Sequence, residues 1–209
     1  MVRRTKEDAL ATRHSLLDAA ELLFQAQGVS RTSLNDIARQ AGTSRGAIYW
    51  HFQDKADLFN AMMERVTLPL EQPFKDVGKS PASDPLDQIR QAMRQALNRI
   101  ATDLPTRRVF EVATQKVEYV DELQAVRLRH IRVRKEFLSQ VQQGLQLAAT
   151  RQSLVMPVSA GNAAQGLHAM VDGLIQNWLL DTGAFDLADA GRQAIDVYLT
   201  GLGFKPPAQ

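Results

Sequence analysis

Residues 33–52, SLNDIARQAGTSRGAIYWHF, decide the fold of this chain. Ser33 and Asp36 have the spacing of a helix-capping box, and apolar residues then recur at helical intervals. Gly42 breaks this pattern and predicts a turn with a positive φ angle. A second short helix follows and ends near Phe52. The stretch therefore predicts two short helices joined by a tight turn, which is a helix-turn-helix.

The second of these helices has two chemically different faces. Ile48 and Phe52 lie four residues apart and can pack inward, which leaves Arg45 and Tyr49 on another face. A helix that enters the major groove of DNA needs this division, because one face docks on protein while the other carries hydrogen-bonding groups. The segment is therefore predicted to be a recognition helix.

Each outward position of this segment suits a contact with DNA. Hydroxyls at a helix N-terminus hold phosphate, arginine pairs with guanine through two hydrogen bonds, and glycine lets the backbone approach the groove floor. Tyrosine reaches a phosphate or a thymine methyl group, and histidine and lysine suit phosphates. Packing between helices is the alternative for the three aromatic side chains at 49–51. The predicted DNA-binding residues are Ser33, Thr43, Ser44, Arg45, Gly46, Tyr49, Trp50, His51 and Lys55.

The rest of the chain also has the pattern of helices, because strand-like alternation is nearly absent. Gly28 ends a first helix over 6–27, and a fourth helix begins after Asp54 and is expected to loosen at Pro69 and Pro73. The stretch 75–85 is the clearest loop. Further helices are predicted over 85–102, 105–117, 121–151, 158–181 and 185–202, and a frayed tail over 205–209.

Composition permits a DNA-binding protein without requiring one. The net charge is +2, and the excess lies in residues 1–55, which hold eight Lys or Arg against six Asp or Glu. There is no cysteine and the four histidines are scattered, so we expect no disulfide, no metal site and no cofactor. No nucleophile–base pair or phosphate loop has diagnostic spacing, so an enzyme is not expected. Neither a secretory signal nor a membrane span is predicted.

Residues 5–70 resemble the DNA-binding domain of TetR-type repressors. The resemblance lies in VRRTKEDALATRHSLLDAAELLF near the start, in the break at Gly28, and in TSLNDIARQAGTSRGAIYWHFQDKADLF. The opening and GAIYWHF are most similar to the AcrR-like branch, which represses multidrug efflux pumps, and VDGLIQNWLL at 171–180 is also similar to that branch. Thr43 and Ser44 replace the more usual Val-Thr.

The resemblance implies a cytoplasmic, all-α homodimer of about nine helices that binds a palindromic DNA operator. It implies a three-helix DNA-binding domain at 1–55, a linking helix from about 55 to 74, and a ligand-binding and dimerisation domain at 75–209. The expected function is repression of a multidrug efflux operon, relieved by bulky apolar or aromatic small molecules. The alternatives are control of a metabolic or lipid gene and control by a protein partner.

Apolar stripes on the helices after the fourth supply candidate walls for a ligand pocket, and a few polar groups can orient a ligand. The same apolar residues can instead be ordinary core. His168 and Asp172 can likewise form an internal hydrogen-bonded pair or an interface contact. The predicted ligand-binding residues are Ile89, Met93, Ala96, Phe110, Thr114, Phe137, Val141, His168, Asp172 and Gln176.

The last two helices are the predicted dimer interface, because both are rich in apolar and small residues. The alternative is that they only close the core of one monomer. The candidate interface residues are Met170, Leu174, Trp178, Ile195, Tyr198, Leu199 and Leu202. The basic run over 127–135 is predicted to be a solvated face, with a second DNA surface as the alternative.

Overall fold

The computed structural model describes residues 6–80, 82–118 and 123–206. Within these ranges the regular structure is α-helical, which confirms the all-α prediction. The predicted bounds of the fifth, sixth, eighth and ninth helices lie within two residues of those observed. The helices are α1 (Lys6–Gln27), α2 (Leu34–Gln40), α3 (Arg45–His51), α4 (Lys55–Lys75), α5 (Pro85–Thr102), α6 (Leu104–Gln115), α7 (Gln124–Arg151), α8 (Ala160–Leu180) and α9 (Leu187–Gly201).

Side-chain caps fix the ends of the two short helices. Ser33 Oγ accepts a hydrogen bond from Asp36 N at 3.2 Å, and the Asp36 carboxylate accepts from Ser33 Oγ at 2.6 Å. These hydrogen bonds from Ser33 hold the pKa of Asp36 below its usual value. Gly42 has a φ of +65°, as the turn required, and Ser44 Oγ then caps α3 by accepting from Ala47 N. The capping box and the glycine turn are therefore confirmed.

Helix α4 continues through both of its prolines. The prediction that it loosens at Pro69 and Pro73 is wrong, because the helix ends only at Lys75. An interior proline removes one backbone hydrogen bond and crowds the carbonyl four residues earlier. Val66 and Phe74 are both buried on this helix, and we attribute its continuity to their packing.

Packing divides the chain into two compact units. The first comprises the described parts of Met1–Thr67 and Pro105–Ile131, and the second comprises those of Leu68–Leu104 and Arg132–Gln209. Helices α4 and α7 each run from one unit into the other. The helix-turn-helix thus packs together with α6 and the start of α7, whereas the predicted functional boundary near residue 75 stays a prediction.

The first unit has one apolar core, to which α1, α2, α3 and α4 contribute together with Val109, Val112, Leu123 and Val126. Phe24 and Phe59 meet in its centre, with ring centroids 5.9 Å apart. Ile37 and Ile48 are fully buried and attach the two short helices to this centre. The orientation of the recognition helix is therefore set by buried apolar side chains.

Polar contacts also join α6 and α4 to α1. Arg65 Nη2 lies 3.2 Å from the Glu21 carboxylate, and Arg108 Nη1 lies 3.7 Å from it. Gln25 Nε2 donates to Glu111 Oε2 at 2.9 Å. Burial raises the pKa of Glu21, and the two arginines only partly offset this effect.

In the second unit α9 packs against both α5 and α8. Arg90 of α5 is buried, its Nη2 donates to Lys205 O at 2.8 Å, and its Nε lies 3.3 Å from Asp196 Oδ1. Phe204, the residue before Lys205, is buried. The predicted tail therefore does not begin at Lys205, because this guanidinium anchors the chain beyond α9. Across the described ranges, no helix has the length and apolar character that crossing a membrane requires.

Candidate functional site

Helix α3 directs apolar side chains inward and polar side chains outward, as the sequence predicted. Ile48 and Phe52 are buried in the core of the first unit. Arg45 and Tyr49 are exposed, and the guanidinium carbon of Arg45 lies 5.6 Å from the centroid of the Tyr49 ring. The outward face therefore presents a cation and a phenol side by side, which are groups that suit base edges and phosphates.

Gly46 lies on the exposed surface of α3. A Cβ placed there would meet only the Oγ of Ser44, at 3.9 Å, so packing within the chain does not require glycine at this position. A missing side chain at an exposed helical position leaves room for another molecule to approach the backbone. This arrangement agrees with the predicted approach to a groove floor.

The aromatic side chains after Tyr49 differ in exposure. Trp50 is 73% exposed, so the alternative of half-buried packing is wrong for this residue. His51 is half-buried, and its ring centroid lies 4.6 Å from that of Trp50 and 6.2 Å from that of Phe52. His51 therefore takes part in packing, whereas Trp50 is available to a partner.

Lys55 requires a correction. The sequence predicted that its ammonium would contact a phosphate, but the side chain is buried. Its Nζ lies 3.3 Å from Thr32 O and 3.4 Å from Ser30 O, in position to donate to both carbonyl oxygens. An ammonium held in this way is not presented to solvent.

The other two predicted DNA-binding residues near α2 lie at its two ends. Ser33 is exposed and Thr43 is half-buried.

The predicted ligand-binding residues do not all belong to one unit. Phe110 and Thr114 lie in the first unit, where Thr114 is exposed and its Oγ1 donates to Phe110 O at 2.9 Å. The other eight lie in the second unit. Of these, Ile89, Met93 and Val141 are buried in the core. Ala96 is half-buried.

His168 and Asp172 do not form the internal hydrogen-bonded pair that was considered as an alternative for them. Gln176 Nε2 donates to Asp172 Oδ2, so the partner of Asp172 is one helical turn later and not His168. The His168 ring instead meets the Phe137 ring edge-on, with centroids 5.4 Å apart. Of the predicted residues, Phe137 and His168 are thus brought together.

A cleft in the second unit contains one predicted ligand-binding residue. It measures about 220 Å³, part of it open to solvent. The Phe74 and Phe137 rings meet edge-on at its wall, with centroids 4.8 Å apart. Glu71 Oε1 is buried in the same lining and has no hydrogen-bond partner within the described ranges. The cleft is lined by Glu71, Phe74, Lys75, Val133, Glu136, Phe137 and Gln140.

A cleft of about 260 Å³ in the first unit was missed from the sequence. Its Asn60 Oδ1 is buried and lacks a partner among the residues described. Nothing local marks these positions, because they come from three helices distant in the chain. These volumes include open solvent, and the enclosed space in each cleft is far smaller than the roughly 300–1,000 Å³ typical of sites for drug-sized ligands. The lining comprises Phe59, Asn60, Met63, Ala113, Val126, Arg129 and His130.

The candidate interface residues on α8 and α9 are mostly internal. Trp178, Ile195, Leu199 and Leu202 are buried, and Met170, Leu174 and Tyr198 are half-buried. For the four buried residues the alternative therefore holds, since they close the core of the second unit. The apolar residues that these two helices expose are different: Leu180 and Val197 are each 74% exposed.

The basic run on α7 is divided between paired and exposed charges. Arg129 Nε lies 3.3 Å from Glu64 Oε1, and Arg134 Nη2 donates to Gln165 Oε1 at 2.9 Å. Arg127, Arg132 and Lys135 are exposed. This distribution agrees with the predicted solvated face.

Comparison with known proteins matches both parts of the chain. Residues 16–62 match the family described as bacterial regulatory proteins, tetR family, and residues 84–204 match the C-terminal region of MAATS-type transcriptional repressors. The HTH-type transcriptional regulator TtgR of Pseudomonas putida is 35% identical over 206 residues, which cover 99% of this chain and 98% of TtgR.

Two solved structures share the fold over nearly the whole length. NalD, the secondary repressor of the MexAB-OprM multidrug efflux pump in Pseudomonas aeruginosa, is 36% identical with a TM-score of 0.85, covering 93% of this chain and 98% of that one. SmeT, the repressor of the Stenotrophomonas maltophilia multidrug efflux pump SmeDEF, is 29% identical in its triclosan complex, with a TM-score of 0.82 and coverage of 95% and 96%.

Proposed function

The chain belongs to the TetR family of bacterial regulatory proteins, and on that premise we propose that it represses a multidrug efflux operon as an operator-bound dimer. It is a transcriptional regulator and not an enzyme. Control of an efflux operon is supported by the repressors NalD and SmeT, which are similar over nearly the whole chain. The proposal places the protein in the bacterial cytoplasm, where the operator is.

The observation that carries the proposal is the two-sided geometry of α3. Buried Ile48 and Phe52 hold the helix, while exposed Arg45 and Tyr49 face outward. In the proposed complex α3 enters the major groove, Arg45 donates two hydrogen bonds to guanine, and Ser44 lies against a phosphate. The proposed DNA-binding domain is residues 1–55, with α4 as the linking helix.

One short helix reads only a few base pairs, so two copies are needed to give affinity and to impose a palindrome. The proposed interface lies in the domain 75–209, on the outer faces of α8 and α9. Its support is the exposure of Leu180 and Val197, since apolar side chains in water favour association. Two such pairs of helices related by a two-fold axis would make a four-helix bundle.

Release from DNA is proposed to follow the binding of an aromatic or apolar small molecule. The triclosan complex of SmeT supports this class of ligand. Phe74, Phe137 and His168 form a connected aromatic surface that suits such a ligand, and the cleft beside it must widen to admit a bulky one. A ligand that binds the widened form better shifts the population away from the form that binds DNA.

Fluorescence anisotropy tests the DNA-binding part of the proposal. A labelled fragment of the intergenic DNA upstream of the gene is titrated with wild-type protein and with Arg45→Ala at two salt concentrations. We expect tight, salt-sensitive binding by the wild type, and a loss of about 1–3 kcal/mol per bidentate contact in the variant. Equal affinity of both proteins for this fragment, and for operators obtained by unbiased selection, would contradict the proposal.

A further inference from the structure

Arg13 carries a positive charge that no carboxylate neutralises among the residues described. It is half-buried on α1, and its guanidinium carbon lies 5.0 Å from the centroid of the Phe52 ring. Phe52 is buried and directly follows the last residue of α3. We propose that Arg13 binds a phosphate of the operator, beside the carboxyl-terminal end of the recognition helix. This inference rests on the proposed function.

Three other arginines of the first unit are held by carboxylates within the chain. Arg39 pairs with a carboxylate one turn away, and Arg65 and Arg108 both reach Glu21. Arg13 instead shares the arrangement of Arg45, in which the guanidinium rests on an aromatic ring at α3. A cation that is held in place but not neutralised keeps its full charge for an external anion.

The contact with Phe52 leaves the hydrogen-bond donors of the Arg13 guanidinium available to an anion. A guanidinium is planar, and its hydrogen-bond donors lie in that plane, so a ring against one face leaves the N–H edges available. The rigid fork of donors matches the oxygens of a phosphate. Restricting the side chain in advance also lowers the entropy lost on binding.

The position of Arg13 agrees with the dimensions of the major groove. The seven residues of α3 rise about 10 Å, which is comparable with a groove width of about 12 Å. When α3 crosses the groove, its two ends therefore lie near opposite phosphate backbones. Ser44 offers a hydroxyl at one end. At the other end Lys55 donates to carbonyl oxygens, whereas Arg13 retains a charge for the second backbone.

The salt dependence of operator binding tests this assignment. A selected operator is titrated over a range of salt concentrations with wild type, Arg13→Gln and Arg13→Lys, and with Arg127→Gln, which removes an exposed charge elsewhere in the first unit. Each phosphate contributes about 0.9 to the slope of log K against log salt, so Arg13→Gln should lower the slope of the dimer by about 2. Its affinity should fall roughly tenfold for matched and mismatched operators alike.

Arg13→Lys keeps the charge, so we expect a slope near that of the wild type with weaker binding, and Arg127→Gln should change neither value. A folded Arg13→Gln protein with the wild-type slope would overturn the assignment, even if its affinity falls, because Arg13 would then only support Phe52. Loss of slope in Arg13→Lys would overturn it as well. Wild-type protein that binds no selected operator would overturn the proposed function itself, together with this site.

Discussion

The proposed role of Gly46 in DNA binding can be tested separately from its role in folding. It is exposed in α3, and a Cβ there would meet only Ser44 Oγ at 3.9 Å. Alanine should therefore stabilise the helix by about 1 kcal/mol, because it restricts the unfolded chain more than glycine does. The added methyl group should also weaken operator binding by roughly tenfold, since it keeps the backbone away from the groove. Thermal unfolding and anisotropy of Gly46→Ala measure both effects, and unchanged operator affinity would show that the groove does not approach this position.

Glu21 and Asp36 should affect the pH dependence of stability in opposite directions. Burial raises the pKa of Glu21, so its contribution is present below the unfolded pKa and is lost as pH rises through the native pKa. Hydrogen bonds from Ser33 lower the pKa of Asp36, so its contribution is present above the unfolded pKa and is lost as pH falls through the native one.

Thermal unfolding of Glu21→Gln and Asp36→Asn at about pH 3 and about pH 8 tests this pair, because the lower pH lies below the ordinary pKa of both carboxyl groups. Relative to wild type, the melting temperature of Glu21→Gln should rise with pH, while that of Asp36→Asn should fall. Parallel changes in the two variants would contradict the opposite environments of the two carboxyl groups.

The outcome for single residues shows what spacing can and cannot predict. Ile48 and Tyr49 were assigned to the correct faces because helical geometry fixes their directions. The prediction that Lys55 faces outward was wrong, since its long side chain turns toward carbonyl oxygens of the segment between α1 and α2. The partner of Asp172 was also missed, because both His168 and Gln176 lie one turn away on the same helix. Spacing alone does not choose between them.

Helix ends were predictable where a local signal marks them. Ser33, Gly42 and Ser44 determine the ends of α2 and α3 through hydrogen bonds to nearby backbone. The prediction at Pro69 and Pro73 was wrong, since α4 continues through both residues, which we attribute to the packing of Val66 and Phe74. Caps act over three or four residues, whereas the packing that continues a helix comes from other parts of the chain.

The strain that Pro69 places on α4 can be measured. Pro69 is exposed inside the helix, where proline costs about 3 kcal/mol relative to alanine, while the stiffer unfolded chain returns about 0.4–1 kcal/mol. Pro69→Ala should therefore raise the free energy of unfolding by about 2 kcal/mol. Pro105→Ala is the control, because Pro105 lies in the first turn of α6 where proline is tolerated. Denaturant unfolding that gives equal values for both variants would contradict this account.

At the scale of the whole molecule, the membership of α6 in the first unit was not predictable. Gln25 and Glu111 are 86 residues apart in the chain, and their hydrogen bond leaves no periodic pattern in the sequence. The two clefts were not predicted either, because their lining residues come from helices that are distant in the chain. The family resemblance nevertheless implied the all-α fold and the nine helices, which the described ranges contain.

The proposed dimer interface lies on the exposed faces of α8 and α9. Val197 is 74% exposed on α9, and Val197→Glu would place an unpaired charge in the proposed interface at a cost of about 3–5 kcal/mol. We expect a monomer in sedimentation equilibrium and weaker operator binding. Val155→Glu is the control, because Val155 is 92% exposed in the segment before α8. A Val197→Glu protein that stays dimeric would place the interface elsewhere.

The central claim is that one molecule binds an operator and releases it when an aromatic ligand binds. The measurement that tests it most directly is anisotropy of a labelled operator, titrated with protein in the absence and presence of aromatic drugs, triclosan among them, whose binding is followed by calorimetry. We expect at least one drug to bind and to weaken operator affinity about 5–150-fold. The affinity of the protein for that drug should fall by the same factor when the operator is saturating. Drugs that bind without changing operator affinity, or a panel in which none binds, would contradict the claim.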